Sequence, residues 1–281
     1  MQKPDLKNRL AHLTKWIILP AAILVIVAWL IIAPPGLLGK ADAIGYAVCH
    51  RIDARSFHID GRQMPLCVRC SGTFTAAAVG VIFQAILSGR RAGFPTRKVI
   101  IVLGIFALAF ALDGANSYLA LIKEVTPGRL DQIPNLYSPQ HWLRLLTGSG
   151  MGLGMAAAVF PIFNQTIWKA PDLRPALAGW RQLGVLVGIM LLLDLAILSE
   201  QPFILYPIAF ISTAGVITLL TMIFSMLWVM LMQQENSCET LRCAWLPLLA
   251  GFTIALLMIL GIDLARLSLT GTWGAFPLGH P

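Results

Sequence analysis

The sequence predicts an all-α fold, a polytopic transmembrane helical bundle of about seven spans with one ordered outer loop that contains cysteine and histidine. Of 281 residues, 57% are hydrophobic and 12% charged, about half the charged fraction of soluble chains. Mean hydropathy is +0.76. Mainly apolar runs of roughly 17–25 residues, the length that crosses a ~30 Å hydrocarbon core, recur at 16–33, 71–88, 99–122, 143–163, 183–199, 203–232 and 244–268. The whole chain, 1–281, reads as a single integral membrane domain.

The formal charge of +8 does not point to nucleic acid, because the basic residues gather in short runs between apolar segments, as in cytoplasmic loops. Lipid is the expected surrounding, and other membrane subunits are possible partners. With the N-terminus inside, the inner face holds Lys3, Lys7, Arg9 and Lys15, then Arg90, Arg91, Arg97 and Lys98, then Lys169, Arg174, Arg181 and Arg242. That is more than half of the 21 Lys and Arg, so the chain is expected in the cytoplasmic (plasma) membrane with its N-terminus inside and its Cys/His loop outside. The first span ends in Ala33-Pro34-Pro35 without a small-residue cleavage site and reads as a retained anchor.

The first helix has Trp16 and Trp29 near its ends, the placement of interfacial anchors. Loop 34–70 is punctuated by Gly36, Gly39, Gly45, Gly61 and Pro65, and its stretch 41–48 reads as a short amphipathic piece on the surface. Span two is faced with small residues (Ala76, Ala77, Ala78, Gly80) that let helices approach closely. Span three carries Asp113 and, on the same face, Asn116. An acid at that depth costs at least ~2.5 kcal/mol on insertion scales, so it must face the bundle or a wet cavity.

Loop 123–141 feeds span four through His141, Arg144 and Thr147. Gly148, Gly150, Gly152 and Gly154 then recur at every second position, which fits close helix packing better than a phosphate loop. Span five carries Asp194, and Pro207 is an expected break near the start of the long span six. Span seven carries Asp263 and Arg266, three apart, as an expected ion pair. Cys238 and Cys243 lie in the inner loop, five apart and on a reducing side, and read as free thiols.

Chemistry concentrates in residues 49–72, CHRIDARSFHIDGRQMPLCVRCSG, with three of the five cysteines. Cys67 and Cys70 form a C-x2-C pair opening a helix, with Cys49 and His50 upstream. Three sulfurs and an imidazole suit tetrahedral zinc, with His58, Asp113 or His141 able to replace a ligand. The same atoms suit redox chemistry, because a helix N-terminus and Arg69 lower a thiol pKa. Cys67 and Cys70 would then exchange electrons with a membrane quinone. A purely structural disulfide is the third reading.

The run is similar to the signature of an uncharacterised bacterial membrane-protein family, domain of unknown function 2085, roughly C-H-x4-R-S-F, a Gly, then P-x-C-x-R-C-[ST]-G-x-[YF]. Cys49, His50, Arg55, Ser56, Phe57, Gly61, Pro65, Cys67, Arg69, Cys70, Ser71, Gly72 and Phe74 fit it. Leu112-Asp113-Gly114, Leu143-Arg144-Leu145 and Thr147-Gly148 extend the likeness over about residues 45–155. Asp53-Ala54 stands where the family often has Pro-Glu. The resemblance implies a site but no reaction.

Whatever the orientation, the topology brings Cys49, His50, Arg55, Cys67, Cys70, Asp113, Asn116, His141, Arg144 and Thr147 to one face or just beneath it. The first reading is zinc on Cys49, His50, Cys67 and Cys70, with Asp113 as base or acceptor and Arg55 or Arg144 holding an anion such as a lipid phosphate. Asp113 and Arg144 could instead pair with each other. The alternatives are quinone-coupled thiol exchange and an accessory subunit of a larger membrane assembly.

Overall fold

The computed structural model describes residues 6–128, 130 and 132–274, with side chains from residue 15 onward. Among the described residues seven helices are long and apolar enough to cross a membrane: α1 (Leu6–Ile32), α3 (Val68–Ser88), α4 (Arg97–Val125), α5 (His141–Ile167), α6 (Trp180–Leu198), α7 (Pro202–Leu231) and α8 (Leu241–Thr270). Between α1 and α3 lie the short helix α2 (Leu37–Val48), a 3-10 turn (Asp53–Arg55) and the hairpin β1 (His58–Ile59) and β2 (Arg62–Gln63). Two further short strands, β3 (Arg91–Gly93) and β4 (Asp172–Pro175), pair in parallel at the opposite end.

Helices α3 and α5 are the centre of the bundle: 50% and 61% of their apolar windows are buried, against 17% for α1 and 22% for α4. Glycines set this contact. A Cβ on Gly148 would stand 2.3 Å from the Arg69 carbonyl oxygen, and one on Gly152 would stand 2.0 Å from that of Thr73. Gly148 and Gly152, one turn apart on α5, thus receive the α3 backbone, whereas Gly150 faces Phe106 of α4 and Gly154 meets nothing within 4 Å. Gln84, buried at this seam, donates from Nε2 to the Ala156 carbonyl at 3.0 Å, and Ser149 Oγ donates to Asp194 at 2.8 Å, tying α5 to α6.

Four expectations are corrected. The piece at 41–48 is part of α2, which buries Ala41, Asp42, Ala43 and Tyr46 against the bundle and does not lie on the surface. Pro207 does not break α7, because near the helix start a missing N–H orphans one carbonyl and the remaining ladder holds. Cys238 and Cys243 are joined in a disulfide: α8 begins only at Leu241, so the preceding turn brings their Cα atoms to 5.3 Å. Asp263 is fully buried with both carboxylate oxygens unpartnered among the described residues, and Arg266 forms no salt bridge with it but reaches the carbonyls of Cys49 and His50.

Candidate metal centre and the guanidinium cluster beside it

The ligand loop is built from local backbone rules. Helix α2 ends at Val48, leaving Cys49 extended (φ −132, ψ 144). Arg51 takes the left-handed conformation at φ +51 and turns its N–H back to the Cys49 sulfur at 3.4 Å. Asp60 (φ +50) and Gly61 (φ +79) make the two-residue turn between β1 and β2, the Asp-Gly chemistry a tight hairpin requires. The hairpin is anchored by Phe57 and Met64, both buried against Leu145, Leu205 and Ile208. Cys67 is then the N-cap of α3, with Cys70 one turn on.

This folding brings the sulfurs of Cys49, Cys67 and Cys70 within 4.8 Å of one another. Thiolates around a tetrahedral zinc lie about 3.8 Å apart, given Zn–S bonds of about 2.3 Å, so small side-chain adjustments would seat an ion. The three cysteines are free. The thiols of Cys67 and Cys70 donate to the Cys49 sulfur, and backbone N–H groups of Cys67 and Arg51 add to them. Together they outweigh burial and hold Cys49 well below the ordinary thiol range. Cys67 is pushed up to about 12, first because its proton is held by Cys49, with burial adding to this.

The loop is clamped from far along the chain. Arg266 donates to the carbonyls of Cys49 at 2.6 Å and His50 at 3.1 Å, and its guanidinium lies 3.9 Å from the Tyr46 ring centroid. Asp42 receives Arg51 at 3.0 Å and Arg62 at 2.6 Å. The His50 ring is outside the sulfur group and exposed, on the wall of the same cavity. His58 pairs with Asp53 at 3.0 Å, and His141 meets the Ala54 carbonyl at 3.2 Å. Neither joins the thiols.

Asp113 is 1% exposed and engaged from several sides. Arg69 forms an ion pair with it and also donates to its carbonyl at 3.1 Å. The Tyr137 hydroxyl donates to Oδ1 at 2.7 Å, and the Thr147 hydroxyl to Oδ2 at 3.3 Å. Burial and the Asp113 contact push Tyr137 up to about 12, so it remains a donor. The expected alternative pairing of Asp113 with Arg144 is replaced by Arg69, whose side chain reaches across from α3, while Arg144 is turned to Ser117 one helical turn further along α4. Beside Gly114 lies Arg69 Nη1, 3.6 Å from where a Cβ on that residue would stand.

Arg144 instead points its Nε toward the Ser117 hydroxyl at 3.5 Å. Arg55 donates to the Ser117 carbonyl at 2.9 Å, and Arg69 to its hydroxyl at 3.0 Å. Three guanidiniums thus meet at Ser117, beside the thiols, on a cavity of about 610 Å³. Sequence reasoning missed Ser117 and Tyr137, assigned Arg266 to Asp263 and not to the Cys49 loop, and gave Arg69 only a role in thiol acidity. Arg69 was nevertheless visible as the arginine of the Cys-x-Arg-Cys motif.

Comparison with known proteins places this segment. Residues 49–158 match the family described as Predicted membrane protein (DUF2085). The resemblance carried by the Cys/His signature therefore holds from Cys49 into α5, covering the thiols, the Asp113 node and Arg144. An uncharacterized protein of Methanocaldococcus jannaschii is 25% identical over 127 residues, which cover 45% of this chain and 70% of that protein. No solved structure matches the chain.

Proposed function

We propose that this DUF2085-matching segment is a zinc site at the outer face of a cytoplasmic membrane protein, with Cys49, Cys67 and Cys70 as thiolate ligands. The observation that supports it is the convergence of three unoxidised sulfurs within 4.8 Å on a cavity wall, a soft donor set suited to zinc. His50 was the fourth ligand in the sequence reading. With its ring outside the sulfur group, we assign the fourth position to an exogenous ligand from the cavity. Arg55 and Arg144 are the groups that would meet an anionic ligand there, and Asp113 is a positioning residue that fixes Arg69. The outside placement rests on the basic residues at the opposite end.

Elemental analysis of protein purified without chelators tests this. About one zinc per chain, lost in Cys67→Ser and Cys70→Ser but kept in Cys238→Ser, is the expected result. Metal-free protein whose Cys67 and Cys70 cycle with a membrane quinone would overturn it in favour of thiol–disulfide exchange.

A further inference from the structure

We infer that the cavity beside the thiols binds an anionic amphiphile, a lipid whose phosphate ester sits among Arg55, Arg69 and Arg144 and whose chain lies along α4. The inference extends the proposed metal site and rests on that reading only in that the two share one cavity.

The first observation is charge. Arg55, Arg69 and Arg144 all reach Ser117, at 2.9, 3.0 and 3.5 Å, yet only Asp113 forms an ion pair with any of them, and it is held by Arg69. Among the described residues no carboxylate is in salt-bridge range of Arg55 or Arg144; Glu124 is exposed and acts on Arg55 only through space. A zinc on three thiolates would carry one net negative charge, which still leaves the guanidiniums in excess. Arg144 is 6% exposed, and a buried like-charged group of this kind is stabilised by an anion that accepts several of its N–H groups. A phosphate ester has the required oxygens, and planar guanidinium groups match them in pairs.

The second observation is shape and polarity. Beside the arginines, the cavity wall is one stripe of α4, in which Phe110 and Gly114 lie against Arg69 and Tyr118, Ile122 and Val125 continue past it. From Gly114 to Val125 this stripe is about 16 Å long at ~1.5 Å per residue. Tyr118 and Val125 line the cavity while being 63% and 45% exposed, so the cavity opens sideways, along one of the least buried spans. A free phosphate would use the arginines and leave the apolar wall empty. A volume of about 610 Å³ is in the range of sites for molecules much larger than phosphate, roughly 300–1,000 Å³.

The test is native mass spectrometry of the full chain after delipidation and addition of phosphatidylglycerol, phosphatidylcholine or inorganic phosphate, with zinc measured on the same samples. One phosphatidylglycerol per chain, retained at least tenfold better than phosphatidylcholine, is expected. Arg55→Gln and Arg144→Gln should each lower retention tenfold or more with zinc unchanged. Ile122→Trp, which fills the apolar wall without touching a charge, should do the same and carries the test where an arginine variant fails to fold. Equal retention of the two lipids, or unchanged retention in the folded variants, overturns the inference. Inorganic phosphate displacing the lipid at equal concentration also overturns it, leaving an anion site without a chain. Lipid retained by protein that never holds zinc overturns only the metal reading, and zinc without lipid overturns only this one.

Discussion

Arg69 reaches across from α3 to bond both the carboxylate and the backbone carbonyl of Asp113 on α4, so the residue between the two α3 cysteines also fixes the neighbouring span. Asp113→Asn would leave Arg69 half-buried without its counter-ion, at a cost of about 3–5 kcal/mol. Adding Arg69→Met should recover most of that loss, whereas adding Arg144→Gln should not. Unfolding in mixed micelles reads both pairs, and rescue by Arg144→Gln would reassign the partner.

The His50 ring is expected to be dispensable for metal retention. His50→Ala should keep zinc at wild-type stoichiometry through gel filtration, while Cys49→Ser should lose it. Loss of zinc in His50→Ala would put the imidazole back on the ion.

Glycine substitutions on α5 separate contact from composition. Gly152→Ala would drive a methyl to 2.0 Å from the Thr73 carbonyl and should cost about 1–3 kcal/mol by prising α3 from α5. Gly154→Ala meets nothing within 4 Å and should be neutral, or stabilising by about 0.5–1 kcal/mol. Equal thermal shifts in the two variants would mean that the seam is looser than described.

At the opposite end Asp172 is held down to about 2 by hydrogen bonds from Arg174, with Arg91 adding charge. A carboxylate depressed below its usual value gives its full stabilisation above about 3.8 and loses it as pH falls through about 2. Hydrogen exchange of 91–93 and 172–175, corrected for intrinsic rate, should stay protected down to about pH 4 and fall progressively between about pH 4 and 2. Asp172→Asn should remove the pH step, and a step that persists would assign it to another acid.

The Cys238–Cys243 disulfide lies on the face with most of the basic residues, which under the proposed orientation is the cytosolic one, where thiols are kept reduced. Alkylation in intact cells is expected to find both thiols free, with the bond forming in aerated purified protein. A bond already formed in cells would invert the membrane orientation.

The spans were legible because hydropathy is a per-residue property and the bilayer fixes its length. The gathering of Cys49, Cys67 and Cys70 was legible too, because the C-x2-C pair is one helical turn and the connecting loop is short. What could not be read was rotation. Arg69 and Arg144 lie at similar depth on different helices, and only the facing of α3 decides which meets Asp113. Burial of α2 was missed because Asp42 and Lys40 suggest a wet face, whereas Asp42 is neutralised by Arg51 and Arg62 from the loop that follows. The clip between β3 and β4 was invisible because three- and four-residue strands carry no usable alternation.

The Arg266 clamp puts the site on a schedule. Its contact with the Cys49 carbonyl joins residues 217 positions apart, so the first thiol of the site leaves the ribosome long before the side chain that fixes its loop. At about 5–20 residues per second that interval is on the order of ten to forty seconds. For that time the loop would carry its three thiols without the side chain that fixes it and, under the proposed orientation and zinc reading, would be open to mispairing and to the wrong metal. Completion of the last helix would then be the moment at which the proposed centre becomes selective. Chains that stall or are cut before α8 would be inserted in the membrane yet chemically immature.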